Sequence, residues 1–313
     1  MKLVISLATR GRPRQLLHTI ALSCVNWALP NTLRMVQVDA DDTDTITALT
    51  EAKIDGRIGS RVIVNCRSRE DTIAAKWNRA LTEPADVYLV AADDDPYVTP
   101  GYDAKLLDAA KRFPDGICMV YGHMANASFS GVVAPTAKLC EKMGGIIFPE
   151  HFPYWFADHW TDDVAKLIGR ISFADVRTDQ SNVGKTQEMR EPAWWATWFD
   201  AAYLMRRAQA HKIIHDGDFH SPEWLKDNLL THHPLIEYRS AWINDGVRAS
   251  ARQLEQWSGL NSLDPRYQRV KRKAIAMIPH LLDDYGMDAA QAARFREALT
   301  PPSQVIGLRR AFA

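Results

Sequence analysis

Only four cysteines occur in 313 residues, Cys24, Cys66, Cys118 and Cys140, and no two of them form a C-x-x-C pair. That spacing excludes a zinc knuckle and a thioredoxin-like redox centre and suits reduced thiols. An excess of charge of either sign is missing too, since 38 Lys and Arg balance 38 Asp and Glu. Such a chain has no long-range field to draw it to nucleic acid or an anionic membrane, so any contact of that kind is local. No apolar run approaches the length of a transmembrane helix. The opening run from Leu3 to Ala8 is too short for a signal-peptide core and leads directly into Arg10, Arg12 and Arg14. These absences predict a cytoplasmic protein. Internal repeats and low-complexity segments are lacking as well, while 46% hydrophobic residues are ample for a substantial core.

What is present in the first 125 residues is an alternation of strand-like and helix-like segments. Leu3 to Ala8, Leu33 to Val38, Arg61 to Val64, Val87 to Ala92 and Ile117 to Tyr121 read as strands. Pro13 opens a helix with Leu16, Leu17, Ile20, Ala21 and Cys24 on one face. Ile73, Trp77, Ala80 and Leu81 fall at helical spacing, as do Leu106, Leu107, Ala110 and Phe113. Strands alternating with helices predict an α/β, mostly parallel sheet covered on both faces. After about residue 125 the pattern loosens into a region of Gly, Pro and aromatic residues, where loops over the sheet are expected. Trp155, Trp160, Trp194, Trp195, Trp198 and Trp224 lie there; most are expected in packing, some along a groove that stacks sugar rings. From about residue 247 the chain is again helical and locally basic, with Arg248, Arg252, Arg266, Arg269, Lys271, Arg272 and Lys273. A solvated helix face is the expected reading, with membrane-surface or partner contact as its competitor.

Asp93-Asp94-Asp95 ends the Val87 strand, and the mouth of a buried parallel strand is where ligands bind in an open α/β sheet. Crowded carboxylates repel one another in low dielectric, so the cluster calls for a cation or a set of donors, and a hard divalent ion with a phosphate ligand is the natural choice. Three other segments belong to the same edge. In Thr9-Arg10-Gly11-Arg12-Pro13 the glycine permits a tight turn and the arginines suit a phosphate or a base. In Asp39-Ala40-Asp41-Asp42-Thr43-Asp44 the carboxylates suit a base imide or a ribose. Arg67-Ser68-Arg69 leads to a helix with Lys76 and Asn78. Each alone is equally well a set of turn and cap residues; their order and spacing together are more specific.

With these segments in that order, the chain resembles the nucleotide-sugar-dependent glycosyltransferases of the GT-A fold, family 2 type, over roughly its first 125 residues. The resemblance implies a Rossmann-like GT-A domain over residues 1–246, with a nucleotide-binding half (1–125) and an acceptor half (126–246), and a C-terminal helical extension over 247–313. It implies that Thr9, Arg10 and Asp39 contact the nucleoside, with Arg12, Asp41, Lys76, Asn78, Asp93 and Asp94 completing the donor site. Asp95 and Asp93 are then expected to bind Mn²⁺ or Mg²⁺ at the diphosphate, with His232 or His233 completing the metal shell. The donor is expected to be a UDP-sugar and the transfer inverting. Inversion requires an acceptor-side base, and Asp158-His159-Trp160-Thr161-Asp162-Asp163 has the composition for it, with Asp162 or Asp163 the candidate. The same residues also suit a helix N-terminus. The acceptor hydroxyl belongs to a glycan, a lipid-linked sugar, a protein or a modified nucleic acid; no motif separates these.

Three other readings compete. A nucleotidyltransferase shares the carboxylate-bound metal but usually has a Gly-rich phosphate loop, where Arg10-Gly11-Arg12-Pro13 has one glycine. A non-catalytic sugar-nucleotide-binding module is the second. A zinc hydrolase built on His215, Asp216, Asp218 and His220 is the third, and no fixed ligand spacing supports it.

Overall fold

The structure is a computed structural model that describes residues 1–123, 132–153, 156–179, 195, 198–199, 202–220 and 265–277. Four parallel strands, β1 (Leu3–Ala8), β2 (Leu33–Asp39), β3 (Val62–Arg67) and β4 (Val87–Ala92), form a sheet in the order β3-β2-β1-β4. A second sheet has the order β6-β5-β7, from β5 (Met119–Tyr121), β6 (Val133–Pro135) and β7 (Ile171–Phe173). An antiparallel bridge between Val87 and Thr136 joins the two at β4 and β6.

Helices cover both faces of this sheet. α1 (Pro13–Cys24), α2 (Thr43–Ile54) and α4 (Tyr102–Ala110) are on one side; α3 (Ile73–Asn78), α5 (Ala137–Lys142), α6 (Ala157–Leu167) and α7 (Tyr203–Ile214) are on the other. β1 shows why: all six of its residues are buried, Leu3, Ile5 and Leu7 in the α1–α2–α4 core and Val4 in the opposite one. Strand alternation thus fills two cores at once. α8 (Pro265–Ala276) buries Val270 and Ala274 in the second core, where Trp198 Nε1 donates to the Ala274 carbonyl at 2.9 Å.

The departures from expectation have simple causes. β3 begins one residue later and runs three residues further than its apolar signal, because Ile63 and the residues from Cys66 to Arg67 face outward on an edge strand. α2 lies in a segment to which the sequence patterns assign no element: its Thr-rich sequence has weak amphipathicity, and its start is fixed by Asp42, whose side chain accepts from the Thr45 N–H. The region after residue 125 carries α5, α6 and the strands β6 and β7 where loops were expected. Trp160, Trp195 and Trp198 are packed in its core, and Trp155, Trp194 and Trp224 lie outside the described residues, as do Arg248 and Arg252.

Candidate active site

Parallel register brings the ends of β1, β2 and β4 to one edge, with Ala8 level with Gln37 and Ala92. Thr9 therefore meets Asp93, and its Oγ1 donates to Asp93 Oδ2 at 2.8 Å. Thr19 of α1 donates to the Asp93 carbonyl at 2.7 Å, fixing the turn from behind. Arg12 Nη2 pairs with Asp93 Oδ1 at 2.8 Å and Nη1 with Asp94 Oδ2 at 3.2 Å. Burial pushes the Asp93 carboxyl up to about 6, against the pull of the Arg12 guanidinium.

The β2 end is equally crowded. Asp39, 1% exposed, lies 2.6 Å from Lys76 Nζ, 3.1 Å from Arg10 Nη1 and 3.7 Å from Arg79 Nη2. Its Oδ1 is buried with no hydrogen-bond partner. Arg10 also grips Asp41 through two bonds of 2.7 and 2.9 Å, which raises the Arg10 pKa and holds Asp41 down at about 2. Lys76 donates a further bond to the Thr9 carbonyl at 3.1 Å, and burial lowers its pKa despite Asp39. Arg79 was not among the residues expected from sequence; its place in a short 3₁₀ turn after α3 hides it from helical periodicity.

A pocket of about 110 Å³ opens at the end of β4, lined among others by Asp95, Trp77, Tyr97, Phe148 and Asp158. Trp77 is fixed by its Nε1 bond to the Ala91 carbonyl at 3.0 Å. Asn78, expected at the donor, instead supports the pocket wall: its Oδ1 accepts from the N–H groups of Ile147 and Phe148, and its Nδ2 donates to the Phe148 carbonyl and to Glu150 Oε1. Two of the four bonds go to Phe148 and two to its neighbours Ile147 and Glu150, so the amide is committed to the chain itself.

Asp158 is the acidic residue of α6 that lines this pocket, in the first turn of the helix. Phe156 precedes it at φ 73°, the one non-glycine residue in the left-handed region among those described. Such a conformation costs about 1–3 kcal/mol and is held by the burial of the ring, which stacks on Phe199 with centroids 5.3 Å apart. Asp158 Oδ1 accepts from the His159 N–H at 2.9 Å and lies 2.8 Å from His159 Nδ1.

Asp162 and Asp163, the expected base candidates, are placed differently. Asp162 is 3% exposed and pairs with Lys166 at 2.6 Å, with its pKa raised by burial. Asp163 pairs with Arg206, each side chain 1% exposed. Neither lines the pocket. One turn of helix is the physical reason: α6 sinks into the core after its first turn, so later carboxylates need internal cations. Nothing but a first-turn acid marks Asp158 in the sequence.

His232 and His233 lie outside the described residues. Among the described residues no group of three or more His, Cys, Asp or Glu side chains is arranged to hold a metal ion. In the proposed zinc segment, Asp216 and Asp218 both accept from Lys142, which links α5 to the end of α7, and the His215 ring stacks on His211. No helix among the described residues is long and apolar enough to cross a membrane.

No family model matches the sequence, and no curated protein matches it significantly. Solved structures do. A crystal structure of S. aureus TarS residues 1–349 in complex with UDP-GlcNAc aligns with TM-score 0.52 and 14% identity, over 96% of this chain and 88% of that one. Another crystal structure of S. aureus TarS aligns with TM-score 0.51 and 13% identity, over 95% of this chain and 53% of that one. The mannosyltransferase PcManGT from Pyrobaculum calidifontis, in complex with GDP-Man and Mn²⁺, aligns at 0.48 and 15% identity, over 95% and 85%. At such identities the likeness is one of fold, and with the two TarS structures the chain shares a GT-A-like fold, a mostly parallel sheet flanked by helices.

Proposed function

We propose that the protein transfers a sugar from a nucleoside-diphosphate sugar, a UDP-sugar first among the candidates, to an acceptor hydroxyl with inversion. The observation that carries this reading is the meeting, at one sheet edge, of the nucleoside-type carboxylate Asp39 with Asp93 to Asp95 and the pocket lined by Asp95 and Asp158.

Asp39 Oδ1 accepts no hydrogen bond, its nearest cation being Arg79 Nη2 at 3.7 Å, and such an acceptor suits the ring N–H of a uracil. Thr9 and Arg10 flank it, and Arg10 and Arg12 supply cationic forks for the ribose–diphosphate side. The oxygen-only chemistry of Asp93, Asp94 and Asp95 fits Mn²⁺ or Mg²⁺, and such ions are commonly held by one or two carboxylates together with substrate phosphates. Asp95 and Asp93 would hold the ion, and when bound it would supply Lewis-acid stabilisation of the leaving diphosphate.

Asp158 is assigned as the base in place of Asp162 or Asp163, because it lines the pocket that Asp95 lines. The acceptor hydroxyl gives its proton to the Asp158 carboxylate as its oxygen bonds to the anomeric carbon. The bond from that carbon to the diphosphate oxygen breaks with its electron pair, releasing the nucleoside diphosphate. The aromatic walls Trp77, Tyr97 and Phe148 exclude water and present apolar faces to a sugar ring.

The test is a calorimetric and thermal-shift panel of UDP, GDP, dTDP and CMP, with and without Mn²⁺, on the wild type and Asp95→Ala. Stabilisation by one nucleoside diphosphate, dependent on Mn²⁺ and lost in Asp95→Ala, is expected, with a gain of about 2.7 kcal/mol at a hundredfold excess over Kd. Indifference to all four nucleotides would overturn the reading.

A further inference from the structure

The loop between β1 and α1 sets two arginines against two different acidic loops. Gly11 between them adopts φ +67°, and its N–H donates to Asp42 Oδ2 at 2.8 Å. That left-handed turn sends Arg10 to Asp39 and Asp41, and Arg12 to Asp93 and Asp94. The Arg12 fork thus lies on the carboxylates that the proposed function gives to the metal and the donor. Its side chain is 22% exposed, whereas those of Asp93 and Asp94 are 2% and 11% exposed.

Resting on that functional reading, we propose that Arg12 is an exchangeable counter-ion. It neutralises Asp93 and Asp94 while no donor is bound, and it yields Asp93 to a divalent ion, and Asp94 to the donor, when that ion arrives with a nucleoside diphosphate. Two buried neighbouring carboxylates need a cation in every state of the site, because an unpaired buried charge is far more costly than a paired one. A bare divalent ion must evict Arg12 and leave the guanidinium without an anion. An ion that brings a diphosphate supplies the replacement anion as well, and a guanidinium binds phosphate oxygens through the same two-pronged geometry it uses on carboxylates. Metal and nucleotide therefore bind cooperatively, and each must raise the other's affinity by the same factor. The arrangement also keeps the site from filling with metal when no donor is present.

The experiment is a Mn²⁺ titration followed by the electron paramagnetic resonance of the free ion, with and without UDP or GDP, on the wild type, Arg12→Gln and Arg14→Gln. Without nucleotide, Arg12→Gln is expected to bind Mn²⁺ at least about tenfold more tightly than the wild type, a factor worth 1.4 kcal/mol. The nucleotide-induced gain in Mn²⁺ affinity is expected to shrink by a similar factor. Arg14→Gln removes the same charge from the exposed side of α1, two residues further along the chain, and is expected to leave Mn²⁺ affinity without nucleotide within about twofold. Equal tightening in both variants would reduce the effect to the general field of the site and overturn the proposal. So would an Arg12→Gln protein that binds Mn²⁺ no more tightly than the wild type while nucleotide-dependent binding persists, an outcome that leaves the glycosyltransferase reading standing. Absence of Mn²⁺ binding from every protein, with either nucleotide, would overturn the metal assignment and this proposal together. Arg12→Lys keeps the charge and guards against a folding defect; it is expected to fall between wild type and Arg12→Gln, since a point charge cannot fork onto both carboxylates.

Discussion

Asp158, Asp162 and Asp163 share one helix and differ in what surrounds each side chain. The first lines the pocket, and the other two are spent on Lys166 and Arg206 inside the fold. Asp158→Asn is expected to lower kcat by about 10²–10⁴-fold, the range of general-base catalysis, with donor affinity retained in calorimetry. Asp163→Asn is expected to behave in the opposite way, costing about 3–5 kcal/mol in urea denaturation because Arg206 stays buried without its counter-charge. A stable, inactive Asp163→Asn protein alongside an active Asp158→Asn protein would reverse the assignment. Asp95→Asn is expected to cost about 10²–10³-fold in kcat, as the loss of one electrostatic group at a developing charge does, with the melting temperature nearly unchanged.

Among the elements, α3 is the shortest helix that bears site residues, and a six-residue helix has little stability of its own. Its N-terminus is fixed by Thr72, whose Oγ1 accepts from the Ala75 N–H at 3.0 Å, and by a bond from the Ile73 N–H to the Pro153 carbonyl at 3.1 Å. Arg269 of α8 adds an ion pair to Asp71, just before the cap. Lys76 and Asn78 depend on this frame for their reach to Asp39 and to the Phe148 segment. Thr72→Ala is expected to cost about 1 kcal/mol of stability. It is expected also to weaken nucleotide binding, because Lys76 is anchored through the same helix; calorimetry with UDP and Mn²⁺ reads that loss directly.

At the scale of the whole molecule, the second core is an aromatic body in which His151 is embedded. Its ring lies 5.0 to 5.2 Å from those of Trp160, Trp198 and Phe152, and its Nε2 is buried without a hydrogen-bond partner. Burial holds its pKa down at about 4, against an ordinary value of 6.5. Below pH 6.5 the unfolded chain takes up a proton that the folded one refuses until about pH 4. The contribution is therefore complete above pH 6.5 and is lost as the pH falls through that window. His151→Phe is expected to remove this part of the acid sensitivity, so the gap between variant and wild-type urea midpoints should change between pH 7.5 and pH 4.5. A gap constant with pH would show that His151 does not titrate in the window.

The alternation of apolar strands and amphipathic helices before residue 125, and the acids placed after Val38 and Ala92, are local patterns, and local patterns are written in the sequence. They determined the α/β class, the parallel sheet and the edge at which Thr9, Asp39 and Asp93 meet. α2 was not legible because its apolar periodicity is weak, and the far half of β3 because its residues are polar or face outward on an edge strand. Which carboxylate faces the pocket was equally hidden. Asp158 and Asp162 are one turn apart in nearly the same chemical company, and the depth to which α6 sinks against Ile147, Phe199 and Arg206 separates them. The pairing of Asn78 with the Phe148 segment and of Arg12 with Asp93 are contacts across about seventy and eighty residues of chain. Sequence fixes which groups exist and on which strand end they stand; three-dimensional packing alone decides which of their charges are already satisfied and which remain for a ligand.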